Sequence, residues 1–225
     1  MIGGNSLDQV KGIEVFIVDL SQEKPYLGSL REGEKVNEAG YLVRKGNRTV
    51  YPVKNRSLVV RVETRDGVVG WGETYGLVAP RATAEIIHDL LVGFVIGRDP
   101  FDVERVHDDL YDLMRVRGYT GGFYHDAIAA IDIALWDIVG KIKGVSVSEL
   151  AGGRRVERIP AYVSGLPEDT LAERCELAQK WQAQGFDSFK FALPIADEGA
   201  VEELKSLREA LGGNARIAAD LHWSL

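Results

Sequence analysis

The chain has 225 residues, of which 45% are hydrophobic and 27% are charged, and its formal net charge is −7. This length allows one large domain, or a small domain with part of another. The negative charge and the lack of a Lys- or Arg-rich run argue against a nucleic-acid partner, and no stretch approaches the roughly 20 apolar residues of a membrane span. The single cysteine, Cys175, cannot form an intrachain disulfide, which favours a reducing, cytoplasmic compartment.

The first 152 residues predict an α+β domain. A β-rich run at 13–20 is followed by a polar stretch at 21–55, which indicates a long loop with room for a short hairpin. At 56–76 two β-rich runs flank Asp66-Gly67, and an Asp-Gly pair in that setting is a strong hairpin signal. Apolar residues at helical spacing then predict three helices, the last of them apolar nearly all round and therefore buried: 81–94, 101–116 and 123–144.

After Gly152-Gly153 strands and helices alternate, which is typical of a parallel sheet or barrel. The predicted elements are strands at 158–165, 186–193 and 215–223 and helices at 168–184 and 198–211. A complete (β/α)₈ barrel takes about 200 to 250 residues, whereas only 68 follow from Arg158 to the end. We therefore expect an N-terminal domain over 1–152 and the start of a barrel, incomplete in this chain, over 153–225.

Three stretches together resemble one family. They are DGVVGWGETYG at 66–76, AIAAIDIALWDIVGKIKGVSVSELAGG at 127–153, and GFDSFKFAL at 185–193 with IAADLHW at 217–223. The middle stretch is the most specific. The sequence resembles the enolase superfamily, in the branch of mandelate racemase and muconate lactonizing enzyme. The resemblance implies an α+β capping domain followed by the first three strands of a (β/α)₈-type barrel.

Members of that superfamily bind Mg²⁺ and remove a proton alpha to a carboxylate. By resemblance, Asp220 is the first metal-binding carboxylate, at the end of the third barrel strand, and two further carboxylates belong on later strands that this sequence does not contain. Mg²⁺ takes hard oxygen ligands, and barrel active sites lie at the carboxyl ends of the strands. Without the family resemblance, the residue type and its place after a strand favour a helix cap or a loop residue over a metal ligand.

Two further residues carry the predicted chemistry. His222 lies two positions beyond Asp220, and residues i and i+2 of a strand point to the same face, so a histidine there could move protons beside the metal. This Asp-X-His pattern resembles the acid-sugar dehydratases that act on galactonate and mannonate, in which the histidine helps the 3-hydroxyl leave. The family's Lys-X-Lys appears in this chain as Lys190-Phe191-Ala192, so the usual lysine base is missing, and Lys190 is predicted to neutralise the substrate carboxylate.

The function predicted from these residues is that of a hydro-lyase. It is a Mg²⁺-dependent dehydratase of a sugar acid, an aldonate or aldarate, that gives a 2-keto-3-deoxy acid. His222 and Lys190 are the predicted catalytic residues, Asp220 the metal ligand, and Lys190 and Tyr75 the substrate contacts. The alternatives are a cycloisomerase or an epimerase or racemase of the same superfamily, or an inactive fragment that acts as an assembly piece. The resemblance also implies self-association into a homo-oligomer.

Overall fold

The structure is a computed structural model that describes residues 8–20, 28–45 and 47–223. Contacts divide it into two compact units, formed by the described residues of Met1–Leu20 with Arg56–Arg155 and of Ser21–Asn55 with Val156–Leu225. The segment that ends at Asn55 therefore groups with the C-terminal part of the chain. The predicted division into domains 1–152 and 153–225 follows chain order instead, and it stays a prediction.

Both units combine β-strands with α-helices. Within the described ranges the strands are Val10–Leu20 (β1), Tyr41–Val43 (β2), Val50–Pro52 (β3), Asn55–Thr64 (β4), Val69–Tyr75 (β5), Val163–Ser164 (β6), Ser188–Ala192 (β7) and Arg216–Asp220 (β8). The α-helices of the same ranges are Pro80–Ile86 (α1), Val92–Val95 (α2), Val103–Arg115 (α3), Phe123–Lys143 (α4), Val147–Leu150 (α5), Leu171–Ala183 (α6) and Ala200–Leu211 (α7). Across the described residues, no helix combines the length and the apolar composition needed to cross a membrane.

The predicted hairpin around Asp66-Gly67 is confirmed. Strands β4 and β5 pair antiparallel, and β1 lies on the other side of β4 in the same sheet. Gly67 has a φ of 85°, a conformation that glycine adopts without steric cost. The three predicted helices that follow are also confirmed, although the first is interrupted by a π-helical turn at Ile87–Leu91.

Helix α4 lies unusually close to β5, and two glycines make this possible. A Cβ atom added to Gly70 would lie 2.1 Å from the carbonyl oxygen of Ala134, and one added to Gly72 would lie 1.9 Å from that of Ala130. Both distances are far below van der Waals contact, so a side chain at either position would push the helix off the sheet. Gly70 and Gly72 of the GWGETYG stretch are thus explained by packing.

Polar side chains of α4 complete the contact with β5. Asp137 accepts a hydrogen bond from the backbone N–H of Trp71 at 2.8 Å, and Lys141 donates one to the carbonyl oxygen of Val69 at 2.8 Å. Because β5 is an outer strand of its sheet, these bonds satisfy backbone groups that no neighbouring strand pairs. Asp137 therefore has a structural role.

The second unit contains a parallel sheet in the order β6–β7–β8. Phe189 and Phe191 of β7 pack with Ala178 of α6 and Leu207 of α7, which cover one face of the sheet. The predicted strand at 158–165 is too long, because only Val163 and Ser164 pair with β7.

A buried ion pair joins the two helices of this unit. The Nε and Nη2 atoms of Arg174 in α6 donate to the two carboxylate oxygens of Glu203 in α7, each at 2.7 Å, and both side chains are buried. Arg174 also donates to the backbone oxygens of Glu168 and Asp169. Burial lowers the pKa of Arg174, but the hydrogen bonds to Glu203 and the negative charges of Glu203, Glu198 and Asp197 together raise that pKa above its ordinary value.

Strands β2 and β3 form a short antiparallel hairpin in the second unit, within the stretch predicted to be a long loop with room for a short hairpin. Leu42 and Tyr51, which face each other across the hairpin, are buried in one cluster with Ala192 and Ile195. A buried ion pair between Arg44 and Glu34 at 2.6 Å anchors the preceding loop. This small core explains why the segment groups with the parallel sheet.

Replacing Gly72 with alanine tests the close contact of β5 with α4. We expect Gly72→Ala to lower the free energy of unfolding by about 3 kcal/mol or more, because the new methyl group meets rigid backbone. Gly93→Ala is the matched control, since Gly93 lies in helix α2 with no atom near the added Cβ, and it should be neutral or stabilising by up to about 1 kcal/mol. Equal urea unfolding midpoints for the two variants would contradict the contact.

The buried ion pair gives a second stability prediction. Glu203→Gln removes the buried carboxylate that pairs with Arg174 and leaves it the exposed carboxylate of Glu198 at 3.6 Å. We expect a loss of about 3 kcal/mol in the free energy of unfolding. Glu202→Gln is the control, because Glu202 lies in the same first turn of α7 but pairs with Lys205 at 3.9 Å on the surface, and its effect should stay within about 0.5 kcal/mol. Urea denaturation measures both, and similar losses would show that burial does not distinguish the two glutamates.

Candidate active site

One face of the parallel sheet brings two predicted site residues together. The face opposite helices α6 and α7 carries the side chains that alternate with Phe189 and Phe191, and Lys190 is among them. In the register of β7 with β8, Lys190 pairs with Ala218 and Ala192 with Asp220. Lys190 and Asp220 are therefore diagonal neighbours on this face, at the carboxyl end of the sheet.

The two side chains form an ion pair. The Nζ atom of Lys190 lies 3.1 Å from an Oδ atom of Asp220, and 27% of the lysine side chain and 34% of the aspartate side chain are exposed. The hydrogen bond from Lys190 holds the pKa of Asp220 below its ordinary value, and the same bond raises the pKa of Lys190. Both groups are thus charged at neutral pH, which suits the recognition of anions by Lys190 and of cations by Asp220.

His222 also lies at this end of the sheet, but not for the predicted reason. The prediction that the strand continues to 223 is wrong, because β8 ends at Asp220 and His222 has a φ of 51° in a turn. The carboxylate of Asp220 accepts a hydrogen bond from the backbone N–H of His222 at 3.0 Å, a local bond by which aspartate turns the chain. This turn, and not alternation along a strand, places Nδ1 of His222 3.7 Å from the Asp220 carboxylate.

Tyr75 is the predicted site residue that these contacts do not include. It is the last residue of β5, in the first unit, and 49% of it is exposed. Its role as a substrate contact stays a prediction.

Two tyrosines that the sequence analysis did not select adjoin the site. The Nζ atom of Lys190 lies 5.7 Å from the centre of the Tyr162 ring, a cation–π distance. The ring of Tyr51 stacks on that of His222 with centroids 5.8 Å apart and an angle of 23° between the planes. Side chains alternate between the two faces of a strand, and this alternation along the predicted strand at 158–165 could have identified Tyr162 as a site residue. No local sequence pattern identifies Tyr51 as one.

The position of the missing lysine is occupied by a buried alanine. Ala192 lies on the same face as Lys190, directly opposite Asp220 in the sheet, and it packs against Tyr51 in the cluster with Leu42 and Ile195. A lysine at this position would have to displace the hairpin. This face therefore carries one lysine, and the space of the second is filled by apolar packing.

The described residues do not make a complete magnesium site. Mg²⁺ takes six oxygen ligands, of which protein carboxylates usually supply one or two. Asp220 is a hard oxygen ligand at the right edge of the sheet. However, no group of three or more His, Cys, Asp or Glu side chains in the described part of the chain could hold a metal ion. A metal at this edge would need ligands beyond those residues.

Comparison with known proteins supports the fold. Residues 47–152 match the family described as the N-terminal domain of mandelate racemase / muconate lactonizing enzyme. The chain is 35% identical over 168 residues to a D-galactarolactone cycloisomerase from Agrobacterium fabrum, covering 72% of this chain and 43% of that protein. It is 36% identical over 186 residues to a D-galactonate dehydratase from Xanthomonas euvesicatoria, covering 77% and 47%.

A solved structure is more similar. A protein from Sinorhizobium meliloti, named as a candidate isomerase, is 66% identical with a TM-score of 0.94, and the match covers 96% of this chain and 56% of that one. The chain spans about half the length of the curated relatives it matches.

The α+β domain and the matches together define an enolase-superfamily protein. Within that superfamily, the chain belongs to the group of mandelate racemase and muconate lactonizing enzyme.

The ion pair predicts a measurable pKa shift. In Lys190→Met the pKa of Asp220 should rise toward its ordinary value, because the hydrogen bond that lowers it is lost. In the wild type, the ion pair stabilises the folded state above about pH 4, and this contribution is lost as the pH falls through the lowered pKa of Asp220. Carbon NMR of the carboxyl groups, with a chelator present, measures the shift.

Asp187 is the internal control for this titration. Its pKa is lowered by hydrogen bonds from Ser188 and Arg216 at the other end of the strands, and Lys190→Met should leave it unchanged. An Asp220 pKa that is the same in wild type and variant would contradict the ion pair.

Proposed function

We propose that the protein containing this chain is a Mg²⁺-dependent dehydratase of a sugar acid, which converts an aldonate or aldarate to a 2-keto-3-deoxy acid. The observation that carries the proposal is the grouping of Lys190, Asp220 and His222 at one end of the parallel sheet. This grouping supplies a cation for the substrate carboxylate, a hard oxygen ligand for a metal, and a side chain that transfers protons near neutral pH.

Lys190 binds the substrate carboxylate in this proposal. Removal of the C2 proton leaves an enediolate with two negative charges, and a fixed ammonium group beside it stabilises the charge that develops. Lys190 is suited to this because a lysine ammonium group is charged at neutral pH, and in the free site the hydrogen bond to Asp220 raises its pKa further. The pairing with Asp220 would be exchanged, at least in part, for pairing with the substrate.

His222 is the proposed general acid. It gives a proton to the hydroxyl at C3 as the C3–O bond breaks, so that one water leaves, and the electrons of the former C2–H bond form the C2–C3 double bond. The resulting enol takes up a proton at C3 and loses the proton of its C2 hydroxyl to water, which gives the 2-keto-3-deoxy acid. General acid catalysis of this kind contributes about 10²- to 10⁴-fold to a rate.

The base that removes the C2 proton is proposed to lie outside the described residues. The racemase-type base would be a lysine at the position of Ala192, and that position is apolar and packed. Magnesium is proposed as the cofactor, with Asp220 as one ligand and the others outside the described residues. A bound divalent cation stabilises negative charge on carboxylate oxygens.

A cycloisomerase is the second candidate. It is favoured by the similarity to the D-galactarolactone cycloisomerase and to the candidate isomerase. An isomerase would also abstract the alpha proton, so Lys190 and Asp220 would keep the same roles. The two candidates differ at His222, because an isomerase need not expel a hydroxyl group as water.

Product analysis separates the two candidates. The polypeptide as its gene encodes it is incubated with Mg²⁺ and a panel of aldonates, aldarates and their lactones in D₂O. The dehydratase proposal predicts a product that has lost one water and shows the C3 methylene signals of a 2-keto-3-deoxy acid by proton NMR. A product isomeric with its substrate would overturn the dehydratase proposal in favour of the cycloisomerase.

His222→Asn tests the acid role. We expect the dehydration rate to fall about 100-fold or more, while exchange of the C2 proton with D₂O continues because another group is the base. His88→Asn, on an exposed helical position, should leave both rates unchanged. Loss of exchange together with dehydration would assign the base to His222 instead.

A further inference from the structure

The imidazole of His222 is enclosed by the β2–β3 hairpin. Only 8% of the His222 side chain is exposed. On one side Tyr51 stacks on it, and on another Trp223 lies with its ring centroid 4.5 Å away. Tyr51 is itself buried, so its ring is a fixed surface for the histidine to rest against.

The hairpin also holds the backbone of the histidine. The side-chain amide of Asn47, in the turn between β2 and β3, donates to the carbonyl oxygen of His222 at 3.3 Å and to the hydroxyl of Tyr51 at 2.6 Å. The carbonyl oxygen of the same amide accepts a hydrogen bond from the backbone of Thr49. Asn47 therefore links the hairpin turn, the stacked tyrosine and the histidine backbone.

These contacts act on a strained residue. A non-glycine residue with a φ of 51° is unfavourable, and such conformations persist only where the surroundings determine them. His222 is held at its backbone N–H by Asp220, at its carbonyl by Asn47 and at its ring by Tyr51. Removing one of these contacts frees the backbone to relax and the ring to turn away from Asp220.

We propose that Tyr51 and Asn47 are positioning residues that hold the His222 imidazole beside Asp220 for proton transfer. This inference rests on the proposed function. The positioning role of Tyr51 also accounts for the alanine at position 192. The small side chain of Ala192 leaves room for Tyr51 to reach from the sheet to His222. A catalytic group that is misplaced by about 1 Å loses up to about 100-fold in rate, so loss of the contact should act mainly on kcat.

Chemical modification tests the contact without reference to any reaction. Diethyl pyrocarbonate modifies accessible neutral imidazoles, and peptide mass spectrometry of the gene's full polypeptide gives the rate for each histidine. His107, with 44% of its side chain exposed, is the internal reference. In Tyr51→Ala the rate at His222 relative to His107 should rise severalfold, and in Tyr51→Phe it should stay near the wild-type value because the ring remains.

Tyr41→Ala is the matched control. Tyr41 lies in the same hairpin, beside Leu42, and therefore faces the opposite side from Tyr51, so the His222 ratio should not change. Asn47→Ala is the second variant, in case Tyr51→Ala does not fold, and it should raise the ratio in the same direction. The proposal would be overturned if the modification rate of His222 relative to His107 were no higher in Tyr51→Ala, or in Asn47→Ala, than in the control Tyr41→Ala.

Kinetics test the positioning role. With the substrate found by product analysis, Tyr51→Ala should lower kcat about ten- to hundredfold with KM changed less than about twofold, and Tyr51→Phe should restore kcat. A raised modification ratio with an unchanged kcat would refute positioning and leave the dehydratase proposal intact. An isomeric product would refute the dehydratase proposal, while the modification ratio would still decide whether the hairpin holds His222.

Discussion

The close approach of helix α4 to strand β5 is the constraint on which the first unit depends. Gly70 and Gly72 allow the helix backbone to lie directly on the sheet, and Asp137 and Lys141 then satisfy the backbone of the outer strand. Apolar residues of β4 and α4 fill the space on either side of this contact in one continuous core. In this chain the glycine-rich hairpin and the apolar helix are therefore two halves of one packing arrangement.

The second unit meets a different requirement, which is to place charged groups at one edge of a parallel sheet. Apolar side chains of β7 face the helices, so Lys190 and Asp220 share the other face. The hairpin from the early part of the chain then packs on Ala192 and on His222. Position 192, where the family's pattern has a second lysine, carries an alanine that packs on the hairpin. The hairpin in turn stacks Tyr51 on the imidazole of His222. The same enclosure leaves only 8% of the His222 side chain exposed to solvent.

Local patterns are enough to predict much of this arrangement. Helical spacing predicts α4, the Asp66-Gly67 pair predicts the β4–β5 turn, and the βα alternation predicts the parallel sheet. The same alternation brings Lys190 and Asp220 to one edge of the sheet, because adjacent parallel strands end there, but their ion pair was not predicted. The strand predicted through His222 is wrong because Asp220 turns the chain with its own side chain, a choice that alternation does not reveal. Tyr51 and Asn47 escape sequence reasoning because they reach His222 only through the folded hairpin, far away in the sequence.

The central claim is that the site of Lys190, Asp220 and His222 breaks the bond between C3 and its hydroxyl oxygen. The fate of that oxygen is the most direct test. A sugar acid labelled with heavy oxygen at the C3 hydroxyl is incubated with the full polypeptide and Mg²⁺, and the water and the organic product are analysed by mass spectrometry. We predict that the label appears in water at the rate of product formation. Label that stays in the organic product would contradict the account and assign the site to isomerisation.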